Sequence, residues 1–593
     1  MGGRFLPARR STRNPPASPR KLFRSRIAGA LAFVLATGAV SGRAQTRGSG
    51  EELAIFPASV TMGARGQRTI SVVTRSGKIP ARVEWSITNS SVASLNARAS
   101  TADIKALSAG RALVTARVNG RSVTATIVVA EENELRLGTV RWSVPAIAGL
   151  VSRAPLDASP ADDEGAVLFA VDGDPMKRFA VVRALKPNGT LAWQSTVRGT
   201  PWAGDRFGGL LVRIGALDQP SRTLARVDRP RSPVAAWRYR ARGDIDDFGQ
   251  ADDGTIFLTI QTHPRLSSPQ NETSEVVTLD GRTGLETGRF KLPPSTWQTM
   301  GSCTPRSATI RRPSELGSLG EGANGGIYAQ MLIVHDTWTR VCEKGRPVAG
   351  RGRFKVSREL QLVRLTRRGI NAVRTLWRTD AEGMDTVDRI RAVDDLAPGP
   401  VAELKSGELI ALRTQVNMDT TGRLSGRLNI ARLGRGGEVA REVVRPPAPA
   451  RANASWRVLI DAHDTARVYV GDGATLQAMD LDAGTTLWSM DSSALPFEAV
   501  ETNTVIANDP ARSQVMEINY RGAVLRTFPA RVTEARTLGA ATPAFHAVDP
   551  QTHAIVEVQQ PPYVETGWST VIDIPTSFEE VRRRFADFLI ETR

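Results

Sequence analysis

The sequence predicts an all-β protein with a β-sandwich over residues 51–130 and a β-propeller over 135–562, ending in a short C-terminal helix. Three observations carry this expectation. Residues 51–130 break into short β-branched runs separated by turn signals. From residue 135 onward a strand, a turn and a second, aromatic-ended strand recur. Residues 571–593 then change to a helical stripe.

At 593 residues the chain is too long for one ordinary core, and 41% hydrophobic with 23% charged residues is the balance of a folded protein. The 52 Gly and 35 Pro follow no strict period, which excludes a collagen-like chain. The net charge of +18 is concentrated at the start: Arg4, Arg9, Arg10, Arg13, Arg20, Lys21, Arg24, Arg26 and Arg43 meet no acid in residues 1–44, and removing them leaves 69 − 60 = +9. The remaining charges interleave, no basic helix accompanies them, and nucleic acid is not the expected partner.

The leader explains itself. KLFRSR precedes the apolar run Ile27–Val40, and small residues follow at Gly42 and Ala44, so residues 1–44 read as a signal peptide cleaved after Ala44. The apolar run is short for a membrane span, which needs about 20 residues; an uncleaved anchor is the alternative. The expected protein is exported, periplasmic or at the cell surface, and not integral to the membrane after cleavage. Export places Cys303 and Cys342 where a disulfide persists. Pairing them would constrain the unfolded chain by about 4 kcal/mol; two separate buried thiols are the alternative.

The sandwich expectation rests on the runs ELAIFPASVTM, QRTISVVTR, ARVEWSIT, SVASLN, ADIKAL, ALVTARVNG and RSVTATIVVA. Trp85 is expected between the sheets, Ala109-Gly110 at the turn into the next strand, and Glu131–Glu134 as a polar junction. Val83-Glu84-Trp85-Ser86, Ser91-Val92-Ala93, Ala109–Ala116 and Ser122–Val129 occur in an order that resembles the bacterial Ig-like group 2 domains. The resemblance implies an Ig-like sandwich serving as a spacer or adhesion module on an exported protein.

The propeller repeat is clearest in Ala478–Trp488. Asp480 is placed to accept from turn amides, Gly484 to take a positive φ, and Trp488 to pack between neighbouring sheets. Degraded copies include Val277–Gly284, Leu185–Trp193, Leu365–Trp377 and Ile518–Phe528. Acidic or glycine turns open a second hairpin upstream of most copies, giving about four strands per unit. The units fall at 160–198, 200–241, 244–293, 320–380, 396–446, 455–492, 497–530 and 537–560, which makes an eight-bladed ring, with seven blades the alternative. Leu137–Val144 precedes the first unit and is placed to complete the last, closing the ring by mixing termini. Ala478–Trp488 is similar to the pyrroloquinoline-quinone-type β-propeller repeat. Dehydrogenases of that kind use a calcium-assisted quinone site, an Asp base and adjacent cysteines; here Cys303 and Cys342 stand far apart.

No catalytic, cofactor or metal residue is assigned. His263, His335, His463, His546 and His553 show no paired zinc spacing and read as surface or turn residues. Asp244, Asp246, Asp247, Asp252 and Asp253 invite a calcium reading, but not at EF-hand spacing, and Asp252-Asp253-Gly254 reads as a hairpin turn. Within 563–593, a strand is followed by a helix with Ser577 and Glu580 at capping-box spacing and a stripe of Val581, Phe585, Phe588 and Leu589. The expected function is a non-catalytic binding or scaffold protein of the bacterial envelope, with no cofactor and a protein or extracellular glycan as partner. A quinoprotein-like dehydrogenase and a cell-surface adhesin are the alternatives.

Overall fold

The structure is a computed structural model that describes residues 52–573 except 75–76, 148–150, 153–155, 159–166, 174–178, 216–220, 228–235, 263–272, 302–307, 345, 387–394, 405, 419–423, 438, 449–454, 462–466, 501–503, 537–543 and 561–567. The leader, Cys303, His263, His463 and the expected C-terminal helix lie outside the described residues.

Residues 52–130 form two facing sheets. One runs in the order Leu53–Phe56, Gln67–Thr74, Thr101–Ala106, Ala93–Arg98; the other runs Glu84–Ile87, Gly110–Val118, Arg121–Val129, Ser59–Met62. Alternation puts one face of each strand inside: Ala112, Val114 and Ala116 are buried while Leu113 is exposed. Ile70, Val72 and Ile104 from one sheet meet Val114, Ala125 and Ile127 from the other in a single core. Each of these Ile and Val side chains contributes about 1.5–3 kcal/mol of burial. Trp85 packs against this core but is only partly buried, its indole N–H donating to Ala99 O at 3.1 Å. The small Val, Ile and Ala side chains already fill the centre, so the ring lies at the margin instead of between the sheets.

Most of the remaining described strands sort into eight antiparallel groups of four, to which a few added strands pair. The inner strands, in blade order, are Leu156–Ala158 (with Val151–Ser152), Thr200–Gly204, the second half of Trp237–Ala251, Glu315–Leu316, Asp395–Glu403, Ser455–Ile460, Leu495–Val500 and Thr533–Arg536. In the last blade Thr533–Arg536, Ala544–Val548 and Ile555–Gln559 are completed by Val140–Val144. The ring thus closes as expected, with an N-terminal strand as the outermost member of the final blade.

Closure is visible in the packing. Phe169 and Trp193 join Leu210 and Val212 across the first two blades, and Leu211 and Trp237 join Ile256 and Leu258 across the next two. Further clusters link the third to the fourth, fourth to fifth, fifth to sixth, sixth to seventh and seventh to eighth. Trp142, Val548 and Ile555 meet Leu185 and so return the eighth blade to the first. Eight faces, none able to cover itself, bury one another in a cycle.

The Ala478–Trp488 turn does what its residues dictate. Asp480 accepts from the amides of Asp482 and Ala483 at 2.8 and 2.9 Å, Gly484 has φ +68°, and Trp488 is buried. A steric device then joins blades. An outer-strand tryptophan lies against a turn glycine of the next blade: Trp488 on Gly522, Trp237 on Gly284 and Trp142 on Gly189. A Cβ at Gly522 would sit 2.7 Å from the Trp488 ring, so a side chain there forces the blades apart.

The fourth blade departs from the pattern. Its strands Gly326–Glu343, Arg346–Thr366 and Gly369–Thr386 run far past the ring, and the insertion adds Pro294–Gly301, parallel to Gly326–Glu343, and Ala308–Pro313. Cys342 sits in this ribbon, in register with Pro347.

Candidate functional site

Two sheet edges set this ring apart. The first is where it meets the sandwich. Val140–Val144 pairs with Ile555–Gln559 on one side and with Ser59–Met62 on the other, so one eight-stranded sheet runs from the sandwich into the eighth blade. The Ser59 and Ser143 hydroxyls lie 2.7 Å apart, and Ala58 N–H donates to Ser143 O at 3.0 Å.

Over this joint sits a buried charge cluster. Glu557 Oε2 is 3.2 Å from His546 Nε2, and its Oε1 is 3.2 Å from Arg141 Nε and 3.9 Å from an Arg68 nitrogen. The Arg141 Nε–H does not point at the carboxylate, so that contact is ionic without being a hydrogen bond. Burial by itself would push the Glu557 carboxyl up, but His546, Arg141 and Arg68 together hold it below its ordinary range. Trp142 stacks obliquely on His546, with ring centroids 5.4 Å apart. His546 is fully buried, not a surface or turn residue as its sequence suggested, because Ala544–Val548 is covered on both faces and the ring meets Glu557 of the adjacent strand. With Glu557 and His546 buried and the two arginines partly so, the cluster fastens Arg68 of the sandwich to Arg141 and Glu557 of the ring. One sign of it was legible: Glu557 interrupts the apolar run Ile555-Val556-Val558 at a position the fold buries.

Of the other histidines, His553 occupies a turn at φ +53°, and His335 is exposed, its Nδ1 2.8 Å from Thr296 Oγ1.

The acidic segment is spent on joining blades. Asp244 pairs with Arg222 at 2.8 Å, and Asp246 accepts from Gln261 at 3.2 Å. Asp247 accepts from Leu319 N–H at 2.7 Å across the third-to-fourth joint; burial raises its carboxyl, against these amide bonds. Asp252 accepts from Asn324 and Gly325 N–H at 2.9 and 3.0 Å. Its slight burial is outweighed by those amides, which hold it below its ordinary range. Asp253 caps Thr255 N–H at 2.9 Å and pairs with Arg367 at 3.2 Å, as a hairpin turn requires. Among the described residues, no group of three or more His, Cys, Asp or Glu is arranged to hold a metal ion. No described helix is long and apolar enough to cross a membrane.

The second edge lies in the channel. The sandwich can be attached only outside the ring, so Val140–Val144 is an outer strand and the first strand of each blade is an inner one. On the inner edge of the sixth blade, Trp568–Asp573 pairs antiparallel with Ser455–Ile460 along its whole length, from Ser455↔Asp573 to Ile460↔Trp568. The C-terminal strand expected from sequence therefore lies on the channel side of the sixth blade. The sequence did not reveal its partner, because strand pairing across so many residues leaves no local mark.

No family model matches the chain, and no curated protein matches it. Solved structures similar to it include a quinoprotein alcohol dehydrogenase-like protein from Bacteroides thetaiotaomicron, 8% identical over 86% of this chain and 96% of that one, with a TM-score of 0.28. Hsv2 of Kluyveromyces lactis is 7% identical over 64% of this chain and 99% of that one, at a TM-score of 0.29. BBS1N, in complex with ARL6DN, is 11% identical over 72% and 98%, at 0.31. At these scores none carries an argument about this chain, and the propeller rests on its own strand order and eight inter-blade cores.

Proposed function

We propose that this chain is an exported, non-catalytic binding protein of the bacterial envelope, in which the propeller holds a protein or glycan and the sandwich is a rigid arm. The observation that carries the reading is the sheet continuous from Ser59–Met62 through Val140–Val144 into the eighth blade. A shared ladder and a buried charge cluster make arm and ring one body, which suits presenting a surface at a set distance better than it suits a hinged catalytic cleft. The basic and apolar leader supports export, and the likeness of residues 51–130 to bacterial Ig-like domains supports a spacer role.

Two measurements test this. The chain with residues 1–44 is expected in the periplasmic or surface fraction, and the mature protein is expected to retain a specific protein or glycan from a cross-linked envelope fraction. Recovery from the cytoplasm alone sinks the export half. Dye reduction with alcohols or sugars after addition of the quinone and calcium sinks the non-catalytic half.

A further inference from the structure

The inner edges of the blades are unequal. Prolines, which donate no ladder hydrogen bond, interrupt three of them: Pro201 in Thr200–Gly204, Pro398 and Pro400 in Asp395–Glu403, and Pro496 in Leu495–Val500. Others are short: two residues in Glu315–Leu316, three in Leu156–Ala158 and four in Thr533–Arg536. The third blade's edge is bulged between Ile245 and Asp247, and Gln250 and Ala251 already pair with Glu321 and Gly322. Ser455–Ile460, SWRVLI, is different: six residues with neither proline, glycine nor bulge, hence an inner edge whose donors and acceptors can all be paired. It is also the inner strand that carries an added antiparallel partner of equal length, Trp568–Asp573.

That partner is not part of a blade. The ring is complete at Ile555–Gln559 with Val140–Val144, and the chain passes beyond the seventh blade to reach the sixth. Its sequence, WSTVID, centres on the β-branched run Thr570-Val571-Ile572, which is suited to an extended conformation. A blade edge that no blade strand covers, filled by a segment from outside the blades, is the arrangement by which extended peptides bind sheets.

We infer that the inner edge of Ser455–Ile460 is a peptide-binding site of the propeller channel, that Trp568–Asp573 occupies it in cis, and that an extended, β-branched segment of a partner protein binds there by displacing it. Backbone hydrogen bonds would supply most of the recognition, so the partner is defined by conformation and by freedom from proline over six residues. The inference deepens the binding reading by naming the ligand class.

The test uses the full chain and, as probe, a labelled peptide of residues Thr566–Pro575. The variant Val571→Pro/Ile572→Pro removes the ladder donor whichever of the two amides faces Ser455–Ile460, and leaves every blade residue in place. Fluorescence anisotropy is expected to show at least tenfold tighter probe binding to this variant than to the unaltered chain. A probe carrying the same two prolines is expected to bind the variant at least tenfold more weakly than the unaltered probe. Equal binding to the two proteins, or equal binding of the two probes, overturns the site. A full chain carrying Leu459→Cys and Ser569→Cys provides a check independent of the peptide: these residues are in register, and no oxidative cross-link between them overturns the cis occupancy. Neither measurement depends on export or on the natural partner, so failure here is distinguishable from failure of the envelope reading.

Discussion

The joint between the sixth and seventh blades and the joint between the eighth and first use the same contact with different support. In the former, Trp488 lies on Gly522 inside an apolar cluster, and the two blades follow one another directly along the chain. In the latter, Trp142 lies on Gly189, but the strand carrying Trp142 comes from the far end of the propeller sequence and is held in its blade by hydrogen bonds. Only the second joint adds a buried carboxylate among His546, Arg141 and Arg68, together with Phe56 and Val73 from the sandwich. A ring joint that follows the chain needs little beyond steric fit, whereas a closing joint must also offset the entropy of bringing distant segments together.

The largest effect expected separates the two joints. Trp142→Ala and Trp488→Ala each remove a buried indole, for about 3–5 kcal/mol. Calorimetry should show the Trp142 variant melting in two steps, as the closing strand and sandwich uncouple, while the Trp488 variant keeps one transition. A single step in both would erase the distinction.

Glu557→Gln should cost about 3 kcal/mol by leaving Arg68 and Arg141 without their buried counter-charge. The pH dependence has a fixed sign. Because the folded carboxyl lies below its ordinary value, its contribution is present above that value and is lost as pH falls through it toward the depressed one. The Gln variant should lack that part of the acid destabilisation; identical acid melting curves for both proteins would show the cluster to be electrostatically idle.

Two glycines divide backbone strain from crowding. Gly522 (φ +82°) touches Trp488, whereas Gly473 (φ +75°) has open space where a Cβ would go. Gly522→Ala is expected to cost about 2–3 kcal/mol and Gly473→Ala about 1 kcal/mol, the difference being the blade contact. Equal losses in denaturant titrations would remove the glycine from the joint.

The smallest effect belongs to Asp482→Ala. Its pair with Arg432 is largely exposed on the carboxylate side, and its loss should stay under about 0.5 kcal/mol.

Much of the fold was legible because its units are local. The Asp480-to-Trp488 turn is dictated by residues a few positions apart, and its degraded copies located the units that became eight blades. The closing role of Leu137–Val144 was readable from one missing strand. The paired ribbon of the fourth blade was not, since the parallel pairing of Pro294–Gly301 with Gly326–Glu343 joins segments well apart in the sequence. The five-aspartate run was readable as turns only at Asp252-Asp253-Gly254; the Leu319 and Asn324 amides that Asp247 and Asp252 bind belong to another blade.

By itself, then, the sequence determined the all-β class, the repeat and the turn chemistry, because alternation, glycine and aspartate act within a few bonds. Tertiary structure alone decided which edges meet: the sandwich on the outer strand of the eighth blade, Glu557 among two arginines and His546, and Trp568–Asp573 on the channel side of the sixth. The physical reason is that a strand's free edge offers the same donors and acceptors in any sequence without proline. What occupies it depends on which segment the rest of the fold delivers there.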